Sequence, residues 1–159
     1  MSDVKFKTMR HIETVRNYLN GCVKELLNRA EWHDQTKLDA PEADIFEIYT
    51  PKLKATTYGS DEYKKHLKEM NVALDHHYRF NRHHPEFYAE GIKAMSLFDI
   101  LEMLCDWKAA TMRHADGDIR KSIEMNQKRF GYSDELKRIF KNTIEEIEDF
   151  KIDHHADES

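Results

Sequence analysis

With 40% apolar and 35% charged side chains over 159 residues, the composition is that of a soluble folded chain, long enough to bury a core without metal or disulfide staples. Five glycines and three prolines leave little turn chemistry for a many-stranded fold, and 25 cationic against 30 anionic side chains, a formal charge of −5, argue against tight binding to a long nucleic acid. No apolar run reaches membrane-spanning length and the first residues lack the apolar segment of a secretory signal, so the expectation is one cytoplasmic domain over 1–159 with no membrane contact.

The first predicted helix runs from Lys5 to Ala30. Ile12, Val15, Leu19, Cys22, Val23 and Leu26 recur at steps of three and four, the mark of a buried stripe, with His11 beside it. Cys22 here and Cys105 further on sit in apolar helical patterns and are read as buried thiols of a reducing compartment. A turn near Trp32 leads into His33-Asp34. Asp39 is the candidate cap of a second helix, Pro41 falls in its first turn, Ala43, Phe46, Ile48 and Tyr49 line its apolar side, and Pro51 ends it. Lys52 to Ser60 reads as loop, closed by Tyr58-Gly59.

A third helix is expected after Ser60, with Tyr63, Leu67, Met70, Leu74 and His77 on one stripe that Asn81 and His84 extend; Pro85 interrupts it or opens a short turn. The stripe makes His77 and His84 the inward members of the doublets His76-His77 and His83-His84. The most apolar helix follows Gly91, capped in part by Ser96, carrying Asp99, Glu102 and Asp106 on nearly one face and ending at Ala115 to Gly117. Asp118 begins another helix through Arg129. Ser133 caps the last, whose buried face is Leu136, Ile139, Phe140, Thr143, Ile144 and Ile147. The expected fold is all-α: a compact bundle of about six helices with a core over 5–115 and additional C-terminal helices over 118–150. The tail after Phe150 is polar and expected to fray.

The chemistry-bearing residues follow an order: His11, then His33-Asp34, then His77, His84 and Asp106. Taken singly each has a structural reading, as a surface cap, a boundary histidine, a loop pair or a buried acid answered by Lys108 or Arg113. Jointly they form a ligand set drawn from separate helical regions, the arrangement in which a bundle holds a metal in its core. Imidazole and carboxylate suit a divalent manganese, iron, cobalt, nickel or zinc ion, and six groups suffice for one ion or for two bridged by Asp34. Lys37, three residues past Asp34, is placed to bind a substrate phosphate. Glu86 is placed to orient a ligand histidine or to move a proton. Arg79, Arg82 and Arg113 are further anion-binding candidates, while Tyr78, Trp107 and Phe130 are candidates for stacking on a base or plain core. His114, His154 and His155 are not expected to be ligands.

In that order the sequence resembles the HD-domain superfamily of metal-dependent phosphohydrolases, helical proteins with an early His, an adjacent His-Asp, two further histidines in two-metal members, and a later Asp. Lys37 stands where the superfamily often has a lysine. Two features depart from its pattern: Glu31 and Trp32 precede His-Asp in place of two small apolar residues, and His77 and His84 lie closer together than the equivalent pair. More narrowly, the strings H-D-Q-T-K, N-R-H-H-P-E and D-I-L-E-M-L-C-D-W-K-A-A, extended by G-D-I-R-K-S and N-Q-K-R-F, resemble an uncharacterised family of small bacterial and phage proteins catalogued as a domain of unknown function, number five thousand six hundred and sixty-two. The superfamily implies hydrolysis of a small phosphate ester, frequently a nucleotide, by metal-activated water. Its rivals are a di-iron oxygenase on the same ligands and a non-catalytic binding protein that a metal stabilises. Nothing in the sequence decides the assembly, for which a homodimer is the commonest outcome.

Overall fold

The computed structural model describes residues 2–57, 60–113 and 117–151. Tyr58, Gly59, His114, Ala115, His154 and His155 therefore lie outside the described residues. The chain divides after Gln35 into two units. The first is a single helix with its exit turn. α1 spans Asp3–Trp32, opened by Ser2, whose hydroxyl accepts from the Lys5 amide at 3.3 Å. No residue of α1 is buried, and Ile12, Leu19 and Val23 are more than half exposed. The expected buried stripe is thus corrected: a lone helix has no second element in its own unit to pack against. Cys22 is exposed with the rest of that face, and Cys105 is exposed as well, so neither is the buried thiol the apolar pattern suggested.

A 3-10 turn, Gln35–Leu38, leads to α2, Glu42–Ala55. Asp39 contributes to this start with its carbonyl, not its side chain, accepting from the Glu42 and Ala43 amides at 3.0 and 2.9 Å. Pro41 stands just ahead of the helix. Pro51 lies inside it, and the helix runs four residues beyond, one ladder donor poorer, so the expected stop at Pro51 is corrected. The helix expected after Ser60 is two helices, α3 (Asp61–Glu69) and α4 (Asn71–Phe80), parted at Met70, whose φ of −83° and ψ of 0° leave the helical well.

Two 3-10 turns, Pro85–Phe87 and Gly91–Ala94, precede α5, Leu97–Thr111. Ser96 and Asp99 make a reciprocal cap at its start: the hydroxyl accepts from the Asp99 amide, and the Asp99 carboxylate accepts from the Ser96 amide at 2.7 Å. Asp99 is fully buried, also accepts from the Tyr88 hydroxyl at 2.8 Å, and has the Arg82 guanidinium 3.5 Å away. α5 ends at Thr111, short of the expected stop. α6 spans Ile119–Phe130, capped by Asp118, and closes on Gly131, whose φ of 65° no other residue type adopts as cheaply. α7 (Asp134–Glu146) and the single-turn α8 (Glu148–Lys151) complete eight α-helices, with no strand among the described residues.

The core of the second unit gathers on α5, α6 and α7: Met103, Leu104, Trp107, Ile119, Ile123, Tyr132, Phe140 and Ile144. Phe140 sits edge-on to both Trp107 and Tyr132, with ring centroids 5.6 and 5.3 Å apart. Tyr132 buries its hydroxyl by donating to the Ile123 carbonyl at 2.6 Å. Each such ring contributes about 1.5–3 kcal/mol through burial, which fixes α5 and α6 as walls for what lies above.

Candidate metal centre

α4 aims its histidine by period. Met70, Ala73, His77 and Asn81 follow at steps of three and four, and all four are buried. His77 is 2% exposed, whereas the neighbouring His76 keeps 31% of its side chain in solvent against Phe80. The helix stops after Phe80, and Asn81 holds the end by donating its side-chain amide to the His77 carbonyl at 2.9 Å and to the Thr36 hydroxyl at 2.8 Å. Pro85 then bars its predecessor from helical backbone, and His84 takes φ −96° and ψ 129°. That extended residue turns the chain back. The Nε2 atoms of His77 and His84 face one another at 2.9 Å.

Two imidazole nitrogens at right angles on one ion, each about 2.1 Å from it, lie about 3.0 Å apart. The observed spacing matches that edge, and His84 is only half-buried, so the residues fit a divalent ion with a side left open. Behind the pair stands Glu42, the first residue of α2 and wholly buried. Its two oxygens meet His76 Nδ1 at 2.7 Å and His77 Nδ1 at 2.9 Å. Burying a lone carboxylate costs several kcal/mol, and two imidazoles are what answer it here. His83, the other member of its doublet, is more buried than His84, at 1%, and its Nδ1 lies 3.2 Å from Glu102. Both members of that doublet are therefore turned inward, where the stripe singled out His84 alone.

His84 opens onto a cavity of about 610 Å³ walled by α4, α5 and α6, within the size range of small-ligand pockets. Asp106 and Trp107 line it from α5, Tyr78 from α4, and Lys121, Asn126 and Arg129 from α6. Arg129 donates to Glu86 at 2.6 Å and to the Tyr78 hydroxyl at 3.5 Å. Burial pushes the Tyr78 phenol up, opposed by the Arg129 hydrogen bond, so it stands there as a neutral hydroxyl. Asp118 also borders the cavity, but its carboxylate is spent on the amides of Arg120 and Lys121 at the start of α6.

The sequence candidates are thereby sorted. His77, His84 and Asp106 belong to the second unit, the first two as a facing pair, and Asp106 lines the same cavity as His84. Glu86 is engaged by Arg129. Lys37, on the turn before α2, extends its ammonium over the Phe46 ring at 5.7 Å and is not among the described residues that line the cavity. His11, His33 and Asp34 belong to the first unit: His11 is exposed midway along α1, and His33 ends that helix with its Nε2 3.4 Å from the Asp34 carboxylate. Asp34 carries a φ of 56°. Glu42 was missed by pattern reading. Its acidic first-turn position reads as ordinary helix-dipole chemistry, and nothing in the spacing links it to histidines 34 and 35 residues away.

A family model described as a family of unknown function, DUF5662, matches residues 1–151. The chain belongs to DUF5662. Membership covers both units and all eight helices, and it carries no stated activity. No curated protein and no solved structure matches the chain. Among the described residues no helix is long and apolar enough to cross a membrane.

Proposed function

We propose that this DUF5662 chain is a metal-dependent phosphohydrolase acting on a small phosphate ester of nucleotide size. The observation that carries the reading is the His77–His84 nitrogen pair, with His84 in the wall of a cavity that Lys121 and Arg129 also line. His77 and His84 would hold a divalent ion, with Asp106 of the same cavity as a further candidate ligand, and one or two such ions would supply water ionised near neutral pH and a Lewis acid for the phosphoryl oxygen. Arg129, kept in place by Glu86 and Tyr78, and Lys121 receive the phosphate's charge. Trp107 and Phe130, stacked with their ring planes within 1°, both line the cavity and offer apolar surface for the organic part of the ester. His11, His33 and Asp34 are carried over from the sequence pattern as further candidate ligands, and Lys37 as a further phosphate-binding candidate.

The test is elemental analysis of protein purified without chelator, followed on the same sample by a phosphate-release screen of nucleotides. Bound manganese, iron, cobalt, nickel or zinc with phosphate release that chelation abolishes is the expected result. Stoichiometric metal without release from any nucleotide or sugar phosphate, or release that survives chelation, overturns the reading. Asp34→Asn decides the contribution of the first unit separately, by the metal retained.

A further inference from the structure

Glu42 is not used by the chemistry above, yet it is among the most deeply buried side chains of the second unit. A carboxylate that only capped α2 would be served at the surface, where water satisfies its remaining lone pairs. Here each oxygen is committed to one imidazole, Oε1 to His76 and Oε2 to His77. A carboxylate oxygen accepts, so each bond is read with the histidine Nδ1 donating. The Asn81 amide, 3.0 Å away, and the Thr36 hydroxyl, at 3.5 Å, also stand at His77 Nδ1, both further from it than the Glu42 carboxylate at 2.9 Å. The Asn81 amide is engaged elsewhere. Its two protons already go to the Thr36 hydroxyl and the His77 carbonyl. With the proton of His77 held on Nδ1, the lone pair is on Nε2, the atom that faces His84.

We infer that Glu42 is a positioning residue that fixes the tautomer and ring orientation of His77 for metal binding, with His76 as the second arm that holds Glu42 in place. The inference rests on the metal reading of the His77–His84 pair and adds a residue to it. A carboxylate behind a ligand histidine raises the basicity of the ligating nitrogen and removes the cost of choosing the tautomer. Removing such a partner weakens metal affinity about 10–100-fold. Glu42→Gln is the discriminating change, because a glutamine keeps the volume but offers one acceptor for two imidazoles. His76→Ala leaves the His77 bond in place and removes the outer arm, so its loss is the smaller of the two.

The experiment titrates manganese alone, and separately cobalt alone, into wild type, Glu42→Gln, His76→Ala and His84→Ala, with far-ultraviolet circular dichroism on each sample. Expected are a 10–100-fold weaker affinity for Glu42→Gln at unchanged helical content, a lesser weakening for His76→Ala, and no measurable binding for His84→Ala. Nitrogen-15 imidazole spectra of the metal-free wild type supply a readout independent of metal: His77 is expected as the Nδ1–H tautomer. Wild-type affinity in a folded Glu42→Gln, with His84→Ala still deficient, overturns the role of Glu42 and leaves the metal centre standing. Absence of binding to wild type overturns both. Should Glu42→Gln fail to fold, the spectra decide, and an Nε2–H tautomer for His77 overturns the inference.

Discussion

Glu86 and Arg129 join across 2.6 Å, an ion pair between the 3-10 turn after His84 and the last turn of α6. The pairing keeps the Arg129 guanidinium aimed, a positioning duty for Glu86 beside the ligand-orienting and proton-transfer readings its sequence position allowed. Arg129→Ala is expected to raise KM for a phosphate ester about tenfold or more, the loss of a charge-assisted hydrogen bond of about 1.5–3 kcal/mol. Glu86→Gln is expected to share that KM effect in weaker form with kcat largely kept. Steady-state kinetics checks both, and a kcat collapse in Glu86→Gln would assign Glu86 to proton transfer.

His77 and His84 separate metal binding from folding. His84 is half-buried after the turn that follows α4, so His84→Ala is expected to abolish metal binding with the thermal midpoint in chelator unchanged. His77 is buried against Glu42. His77→Ala strips one imidazole from a buried carboxylate and is expected to destabilise the metal-free chain by about 3–5 kcal/mol. Parallel melts in chelator distinguish the two.

A surface network between α6 and α7 sets a pH dependence. The Lys141 hydrogen bond, at 2.5 Å and reinforced by the charge of Lys137, holds the Glu124 carboxyl below its usual range. Hydrogen bonds from Gln127 and then Lys137 do the same for Asp134. A depressed folded pKa means stability that is full above the ordinary carboxylate range and lost as pH falls through the folded value. The Asp134 hydrogen bond, with Glu124 nearby, raises Lys137, so its contribution is full below the ordinary lysine range and fades as pH climbs through the raised value. Glu124→Gln is accordingly expected to lower the melting midpoint at neutral pH and to leave it unchanged once the pH has fallen below the depressed folded value, where the acid is protonated in both states. A midpoint difference that persists in acid would place the effect in packing.

Phe140 touches Trp107 and Tyr132 at once and is 1% exposed. Phe140→Ala is expected to cost about 3–5 kcal/mol, read by denaturant unfolding followed through Trp107 fluorescence. A loss under about 1 kcal/mol would mean that the site collapses around the gap.

What the sequence made legible is what repeats locally. The three-and-four period from Met70 chose His77 over His76, and the caps at Ser60, Ser96, Asp118 and Ser133 were each readable from one residue and the pattern after it. Two errors share one cause. α1 has the stripe of a buried helix, and Cys105 lies in the most apolar run of the chain, yet exposure is decided by which elements come alongside, which no local period records. Pro51 misled for another reason: a proline removes one ladder donor, and α2 continues for a further turn without it. The candidate centre was half legible. Its histidines announced themselves by type and doublet; Glu42 did not, because a single glutamate in a chain with 30 acidic residues carries no signal until α2 is laid against α4.

Asp34 sits at a φ of 56°, in the left-handed region that asparagine and aspartate tolerate and branched side chains resist by about 1–2 kcal/mol. Where Asp34 is also a ligand, as proposed above, two demands fall on one position, one from the backbone and one from the carboxylate. A saturation library at 34 sorted only for soluble expression would return aspartate, asparagine and glycine together; sorted on immobilised metal retention, it would keep aspartate alone.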